Sequence, residues 1–259
     1  MEVNLAGRVA VVTGGSRGIG LAIASRLVQS GADVALLARR REVLEEARDQ
    51  LLTNAKGRVH IFPCDVAKAD EIAATYQAVM QTYGRVDIVV NNAGTSQTGA
   101  FASVTDDVWQ ADLDLKLFAA IRLTRLAWPQ MVARRWGRVI NVLNIGAKAP
   151  KAGSAPTAVS RAAGMALTKV LAGEGAPHNV LVNSLHVGLI ESDQWVRKFA
   201  ASGAESYDEF LADMGKGIPI GRVGTAEEFA NVACFLASDL ASYVTGTSIN
   251  VDGNLSPVM

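Results

Sequence analysis

Two patterns of apolar residues alternate along the whole chain: short contiguous runs, and longer stretches in which apolar residues recur at helical spacing. Short apolar runs rich in β-branched residues, which are typical of strands buried on both faces, are followed by stretches with apolar residues at helical spacing. The first run covers residues 8–12, and the first helical stretch ends at Gly31, where glycine suits a helix C-terminus. This pattern predicts parallel strands joined by crossover helices.

The pattern predicts seven strands with helices between them. The predicted strands are residues 8–12, 34–37, 59–62, 86–90, 138–142, 180–185 and 248–251. The predicted helices are about residues 21–28, 41–54, 68–83, 105–135, 156–172 and 225–237. No stretch has the composition of a linker, so residues 1–259 are predicted to form one α/β domain, a Rossmann-type doubly wound parallel sheet with helices on both faces. Residues 192–217 are polar and are predicted to be a mobile flap over a ligand site.

Composition and charge narrow the functional class. The chain is 49% apolar and 19% charged, which is typical of a globular protein with a sizeable core. Its 25 basic and 25 acidic residues cancel, so a nucleic-acid or membrane partner is not expected. Two cysteines, Cys64 and Cys234, allow neither a disulfide framework nor a four-thiolate metal site, and no export signal or membrane span is recognisable. A small-molecule substrate and a cytoplasmic location are therefore predicted.

A glycine-rich turn joins the first predicted strand to the first predicted helix. Its sequence is TGGSRGIG, residues 13–20, and its glycines fall where side chains would block a bound pyrophosphate. Backbone N–H groups and the helix N-terminus would then face the anion. A glycine turn alone is a weak signal, but the strand–turn–helix–strand setting favours a dinucleotide site. The predicted cofactor residues of this turn are Gly14, Ser16, Arg17, Gly18, Ile19 and Gly20.

The end of the second predicted strand indicates which dinucleotide is bound. It reads Ala38-Arg39-Arg40 and has no acidic residue. A ribose with free hydroxyls is usually held by an acidic side chain at this point, whereas a 2′-phosphate requires cations. Arg17 and Arg39 therefore predict NADP(H) in preference to NAD(H). The alternative is that these arginines are solvated surface charges.

These motifs resemble the short-chain dehydrogenase/reductase family along the whole chain. The resemblance includes Asn91-Asn92-Ala93-Gly94 after the fourth strand, Asp65-Val66 after the third, and Tyr243-Val244-Thr245-Gly246 near the C-terminus. It implies that Asp65 and Val66 flank the adenine and that Asn92, Ala93 and Gly94 line the ribose. It also implies that Asn91 ties the central strand to Thr13, and that Ser192 contacts the nicotinamide side.

The resemblance fails at the catalytic positions. The family uses a Tyr-x-x-x-Lys pair on one helix, a serine thirteen residues upstream and an asparagine in the preceding long helix. Matched by motif and spacing, these four positions hold Thr157, Arg161, Asn144 and Lys116 here. All four family residues are replaced, so the usual mechanism does not transfer.

The replacements nevertheless permit chemistry. The pKa of the Thr157 hydroxyl is too high for a lone proton donor, but the group can bind a substrate. Arg161 can hold the ribose or a substrate carboxylate, and the amide of Asn144 can donate to an oxyanion. Lys116 would be an acid near neutrality if it is buried beside Arg161; alternatively it extends to water.

Several other polar residues have both a functional and a structural interpretation. Lys148 and Lys151 could bind an anion or serve solubility, His186 and Tyr207 could act at the cleft or pack, and His60 and His178 match no metal-ligand spacing. No metal site is predicted.

Three functions remain open. The first is an NADP(H)-dependent oxidoreductase that acts on a carbonyl or an activated C=C bond. The second is a cofactor-binding, catalytically inactive relative that serves as a redox sensor or structural subunit. The third is non-redox chemistry like that of the halohydrin dehalogenases, which use an arginine in place of the lysine but lack the glycine turn. The family resemblance also implies a homodimer or homotetramer that pairs the long helix and the helix after Pro156.

Overall fold

The structure is a computed structural model and describes residues 2–200 and 202–259. Its strands are β1 (Val9–Thr13), β2 (Asp33–Ala38), β3 (Val59–Pro63), β4 (Ile88–Asn91), β5 (Thr98–Gly99), β6 (Gly137–Asn144), β7 (Ala155–Pro156), β8 (Val180–Val187) and β9 (Ser248–Val251). Seven of them form a parallel sheet in the order β3-β2-β1-β4-β6-β8-β9, while β5 and β7 form a separate antiparallel pair. The predicted fold class is confirmed, and each predicted strand lies within two residues of its observed bounds.

Helices cover both faces of the sheet. They are α1 (Gly18–Gln29), α2 (Arg41–Leu52), α3 (Ala69–Tyr83), α4 (Asp106–Leu113), α5 (Ala119–Arg134), α6 (Thr157–Gly175), α7 (Asp193–Ala200), α8 (Tyr207–Gly215) and α9 (Ala226–Leu236). The predicted helix 105–135 is a continuous path in which a π-helical segment, Asp114–Phe118, joins α4 to α5. The segment predicted as a flap holds α7 and α8, and its residue 201 lies outside the described residues.

Alternate side chains of the central strands pack into two apolar clusters, one on each face. Val12 of β1 belongs to the cluster that contains Ile23 of α1 and Phe229 of α9. Its neighbour Val11 belongs to the cluster that contains Ile72 of α3 and Leu123 of α5. This division follows from the two-residue period of a strand, which directs successive side chains to opposite faces.

The strand order places a crevice at the carboxyl ends of β1 and β4. From β1 the chain proceeds to β2 and β3 on one side, then returns to β4 on the other side. The loops after β1 and β4 therefore diverge in opposite directions and leave space between them. Open α/β sheets bind ligands at such a reversal of strand order.

Two absences apply to residues 2–200 and 202–259. In this part of the chain no helix is long and apolar enough to span a membrane. The same residues include no group of three or more His, Cys, Asp or Glu side chains placed to hold a metal ion.

Candidate active site

The glycine-rich turn leaves β1 at this crevice and packs directly against its own helix. Gly14 has a φ of +64°, a conformation that favours glycine. A Cβ atom at Gly20 would lie 2.2 Å from the Gly14 carbonyl oxygen, so no side chain fits there. The glycines thus leave space in which the backbone amides of the turn and the N-terminus of α1 can face an anion. The residues present fit a dinucleotide pyrophosphate.

Hydrogen bonds fix this turn to the loop after β4. The Thr13 hydroxyl accepts from the backbone amides of Asn92 at 2.9 Å and Ala93 at 3.0 Å, and the Asn92 side-chain amide donates to the Thr13 carbonyl at 2.9 Å. The expectation that Asn91 ties the strand to Thr13 is therefore wrong, because its neighbour Asn92 does so. The Asn91 amide instead donates to Thr124 and to Asn141 within the core, since that side chain points to the other face of the strand.

A cavity of about 280 Å³ lies beside the turn. It brings together seven of the predicted cofactor residues: Gly14, Ser16, Arg39, Asp65, Val66, Ala93 and Gly94. It is also lined by six that were not predicted to bind the cofactor: Leu37, Ala38, Arg40, Cys64, Thr95 and Leu115. Four of these, Ala38, Arg40, Cys64 and Thr95, directly adjoin a predicted cofactor residue, which was a usable signal, whereas Leu37 and Leu115 do not.

The remaining predicted cofactor residues lie around the same turn. Arg17 and Gly18 line an adjoining groove of about 260 Å³ against α2, and Ser16 lines both spaces. A Cβ atom at Gly18 would lie 3.7 Å from the Ser192 Cβ, so Ser192 faces the turn. Ile19 packs against the apolar cluster of α1, which leaves its backbone as its contribution to the turn.

Thr157 is the first residue of α6 and its hydroxyl is buried. The hydroxyl accepts from the Lys116 ammonium at 2.6 Å and donates to the Gln97 carbonyl at 2.7 Å. A second acceptor, Asp112 Oδ1, lies 3.3 Å away. The Lys116 ammonium therefore occupies space next to position 157 that a longer side chain would need.

Lys116 lies in the π-helical segment and forms a buried ion pair with Asp112, one turn before it. The side chains are 0% and 1% exposed, respectively. Asp112 Oδ2 also accepts from the Ser160 hydroxyl at 2.6 Å. The alternative in which Lys116 extends to water is wrong. Sequence reasoning missed Asp112 and Ser160, although the i, i+4 spacing of an acid and a lysine was a signal.

Burial lowers the pKa values of both cations in this cluster. Desolvation lowers the pKa of Lys116; the hydrogen bond with Asp112 opposes this, and the positive charge of Arg161 lowers the pKa further. Desolvation also lowers the pKa of Arg161 to about 10, against the opposing effect of Asp112. Arg161 thus remains a cation at neutral pH.

Arg161 connects this cluster to the cofactor cavity. Its guanidinium donates to the Val142 carbonyl at 2.7 Å. A Cβ atom at Gly94 would lie 2.3 Å from the Arg161 Nη2, so the absence of a side chain at Gly94 admits the guanidinium. Because Gly94 lines the cavity, the guanidinium borders the space expected to hold the nicotinamide ribose.

Asn144 ends β6 and is held through its main chain. The His186 Nδ1 donates to the Asn144 carbonyl at 2.9 Å. Burial lowers the pKa of His186 and so disfavours the protonated ring. The side-chain Oδ1 of Asn144 is buried and has no hydrogen-bond partner among the described residues.

The other polar candidates have local contacts or exposed positions, and their functional alternatives stay predictions. The Lys148 ammonium donates to the Ser248 carbonyl at 2.6 Å, and His60 contacts the Tyr83 hydroxyl at 2.8 Å. Tyr207 packs against Phe199 and Phe210. Lys151 is exposed and His178 lies in a 3₁₀ turn after α6.

Comparison with known proteins establishes the family. A sequence profile described as enoyl-(acyl carrier protein) reductase matches residues 14–256. The 3-oxoacyl-(acyl-carrier-protein) reductase FabG of Chlamydia pneumoniae is 36% identical over 260 residues, which are 99% of this chain and 100% of that protein. The chain belongs to the short-chain dehydrogenase/reductase family.

Solved structures of this family superpose closely on the chain. The L-sorbose reductase of Gluconobacter frateurii, complexed with NADPH and L-sorbose, has a TM-score of 0.95 at 34% identity and full coverage of both chains. An NADPH-bound short-chain oxidoreductase of Pseudomonas aeruginosa PAO1, described as containing an atypical catalytic centre, has a TM-score of 0.90 at 38% identity. That match covers 99% of this chain and 100% of the other.

Membership of the short-chain dehydrogenase/reductase family confirms the resemblance drawn from the motifs. The catalytic roles of Asn144, Thr157, Arg161 and Lys116 stay predictions. The structure brings Lys116, Thr157 and Arg161 into one cluster. Asn144 lies at the end of β6, and its backbone carbonyl accepts a hydrogen bond from His186.

Proposed function

We propose that the chain is an NADP(H)-dependent oxidoreductase that moves a hydride between the nicotinamide and a carbonyl or activated C=C substrate. The contact of Arg161 with Gly94 carries this proposal, because it joins the cofactor cavity to the buried pair of Lys116 and Thr157.

The preference for NADP(H) over NAD(H) is supported by charge at the end of β2. Arg39 and Arg40 line the cavity there, and Arg17 lines the adjoining groove. Asp65, which also lines the cavity, lies two residues after β3 and accepts from the backbone amide of Ala67 at 3.1 Å, and Glu46 lines the adjoining groove. Relatives described as complexed with NADPH agree with this preference.

The chain's own residues would orient the cofactor, stabilise the charge that develops on the substrate and transfer a proton. The bound cofactor supplies or accepts the hydride. Arg161 orients the nicotinamide ribose through its cationic guanidinium, and the Asn144 amide donates to the oxygen on which charge develops. The Thr157 hydroxyl would turn from the Gln97 carbonyl and donate its proton to the substrate, while a proton from the Lys116 Nζ replaces it on Oγ1, so that the hydroxyl is restored and Lys116 becomes a neutral amine.

We also propose that residues 192–217 close over bound cofactor. Ser192, at the start of this segment, faces Gly18 of the glycine turn, and the aromatic contacts of Tyr207 with Phe199 join α7 to α8. NADPH is expected to slow amide hydrogen exchange in this segment. Exchange that is unchanged at saturating NADPH would contradict closure.

The test of the proposed function has two steps. Fluorescence titration should give tighter binding of NADPH than of NADH, and a screen of carbonyl and enone substrates should then show loss of the reduced-nicotinamide absorbance. With a substrate in hand, Arg161→Ala should weaken NADPH binding, whereas Lys116→Ala should lower turnover at nearly unchanged affinity. Failure to bind either nucleotide would overturn the proposal.

A second candidate is a cofactor-binding protein without catalysis. It is favoured by one observation, the complete burial of the Lys116 side chain behind Thr157. Tight NADPH binding with no turnover across the substrate screen would support this candidate.

A further inference from the structure

Asp112 is the acidic group in the buried cluster, and it matches none of the family's four catalytic positions. We infer that Asp112 is a positioning residue, which holds the Lys116 ammonium against the Thr157 hydroxyl in the buried cluster beside Gly94. This inference rests on the proposed function in one respect: the ammonium so placed is the proton source.

Both oxygens of the Asp112 carboxylate are engaged. Oδ1 accepts from the Lys116 ammonium, and Oδ2 accepts from Ser160 at 2.6 Å. These partners come from different elements, since Lys116 lies in the π-helical segment and Ser160 lies in α6. Hydrogen bonds from two sides fix the orientation of this carboxylate. They therefore also fix the position of the ammonium that is bonded to Oδ1.

The Thr157 hydroxyl has two possible acceptors around it. Its hydrogen points to the Gln97 carbonyl at 2.7 Å, while Asp112 Oδ1 lies at 3.3 Å. The same hydroxyl accepts from the Lys116 ammonium at 2.6 Å and from the Gln97 backbone amide at 2.9 Å. Asp112 thus fixes the ammonium that faces the hydroxyl, and its Oδ1 is the second acceptor towards which the hydroxyl hydrogen can turn.

The backbone of this region is unusual in the same place. The i, i+4 pair of Asp112 and Lys116 spans the junction between α4 and the π-helical segment. π-Helical turns are rare and occur frequently at functional sites. The wider turn sets the direction in which Lys116 leaves the helix, and Asp112 fixes the end of that side chain.

Stability alone does not account for a buried pair of charges. Desolvation costs offset most of the attraction between buried ions, and apolar replacements of such pairs are often equally stable. Here the pair lies next to Gly94 of the cofactor cavity, because the Lys116 Cγ would be 3.6 Å from a Cβ atom at that position. The charged groups facing the ammonium are Asp112 from α4 and Arg161 from α6.

The direct test is a titration of the Lys116 side chain by NMR in the full chain, with lysine labelled at the ε-carbon and the signal assigned by its loss in Lys116→Met. Asp112→Asn keeps the shape of the side chain and removes its charge. We expect it to lower the titration midpoint of Lys116 by about one pH unit or more. Asp107→Asn, an exposed acid on the same helix, is the matched control and should leave the midpoint unchanged. A midpoint in Asp112→Asn equal to that of the control would overturn the inference.

Two further variants keep the inference testable. If Asp112→Asn does not give folded protein by circular dichroism, Ser160→Ala removes one donor to the carboxylate without changing its charge. The carboxylate then interacts more strongly with the ammonium, so the midpoint should rise, and an unchanged or lower midpoint would overturn the inference. Asp112→Glu restores the charge and should return the midpoint towards that of the native chain.

Kinetics separate this inference from the proposed function. In the reductive direction the rate should fall as pH rises through the Lys116 pKa, and Asp112→Asn should move this fall to lower pH by the same amount as the NMR midpoint. If the NMR midpoint moves and the pH profile of kcat does not, Lys116 is not the proton source. The positioning of the ammonium by Asp112 would still hold in that case.

Discussion

At the scale of single residues, two cations and one anion meet beside the cofactor cavity. Arg161 and Lys116 are positive and Asp112 is negative, so the buried cluster carries one net positive charge when Lys116 is protonated. Oxidised nicotinamide carries a positive charge, whereas reduced nicotinamide does not. The cluster therefore repels the oxidised ring selectively, and this repulsion is weakly screened because the charges are buried.

This charge balance predicts tighter binding of NADPH than of NADP⁺, on the order of tenfold. Lys116→Met leaves Arg161 and Asp112 to cancel and should largely abolish the difference. The difference in affinity is measured by calorimetric titration of NADPH and NADP⁺ into the native chain and into Lys116→Met. Lys151→Met, which removes an exposed lysine, is the control. Equal affinities for the two cofactors in the native chain would refute the charge argument.

Thr157 offers a second prediction at this scale. Its hydroxyl lies 2.6 Å from the Lys116 ammonium and is the proposed relay for the proton. Thr157→Val preserves the shape and deletes the hydroxyl, so kcat should fall on the order of 100-fold. Thr157→Ser keeps the hydroxyl and should retain most of the activity.

Cofactor binding distinguishes this loss from general damage to the site. Fluorescence titration should give nearly the same NADPH affinity for Thr157→Val, Thr157→Ser and the native chain. A Thr157→Val enzyme with native kcat would show that the proton arrives by another route.

At the scale of elements, the glycine turn depends on how closely α1 approaches the end of β1. Alanine at position 20 would bring its Cβ to 2.2 Å from the Gly14 carbonyl oxygen and to 2.5 Å from the Asn92 side-chain amide. The turn must then open, which breaks the clamp between Asn92 and Thr13. Gly20→Ala is expected to weaken NADPH binding by at least about tenfold, because the amides of the turn lose their alignment.

A second helical glycine provides the comparison. Gly173 in α6 has no heavy atom within 4 Å of its Cβ position, so Gly173→Ala should bind NADPH as the native chain does. Fluorescence titration of the two variants is the measurement. If Gly20→Ala retained native affinity, the tight contact between turn and helix would be irrelevant to cofactor binding.

The elements themselves were largely predictable, because their apolar periods are strong. The seven strands of the parallel sheet were located within two residues, since each is a short apolar run bounded by glycine or polar residues. The π-helical segment was missed because it continues the apolar pattern of the long helix without a break. The short strands β5 and β7 were missed because a strand of two residues is too short to show an apolar period.

The contacts of the site were less predictable than its positions. Motif spacing located Gly94, Arg161, Thr157 and Lys116, but one turn of rotation decides whether a helical side chain faces the cleft or water. The bond of Thr157 to Gln97 joins residues 60 positions apart and has no local signal. Asp112 was within reach of sequence reasoning through its spacing from Lys116, whereas Ser160 depends on how α4 packs against α6.

At the scale of the whole molecule, the sheet and its helices leave one face of α6 uncovered. Val159 and Val170 are 51% and 58% exposed, and Ala163 and Ala166 lie between them at helical spacing. The other face of α6 carries Ser160, Gly164 and Thr168, which are buried. The helix that holds Thr157 and Arg161 thus presents an apolar stripe to solvent, the kind of surface that the expected pairing of this helix in a homodimer or homotetramer would bury.

This stripe leads to a prediction about assembly. The monomer has a mass of 27.3 kDa, and light scattering is expected to give twice or four times that value. Val170→Asp would bury two like charges at a two-fold contact and should reduce the mass towards that of the monomer. Leu52→Asp on α2, where the native leucine is 50% exposed, is the matched control and should leave the mass unchanged. An unchanged oligomer in Val170→Asp would place the contact on another face, and a native chain that is monomeric would show that the stripe remains open to solvent.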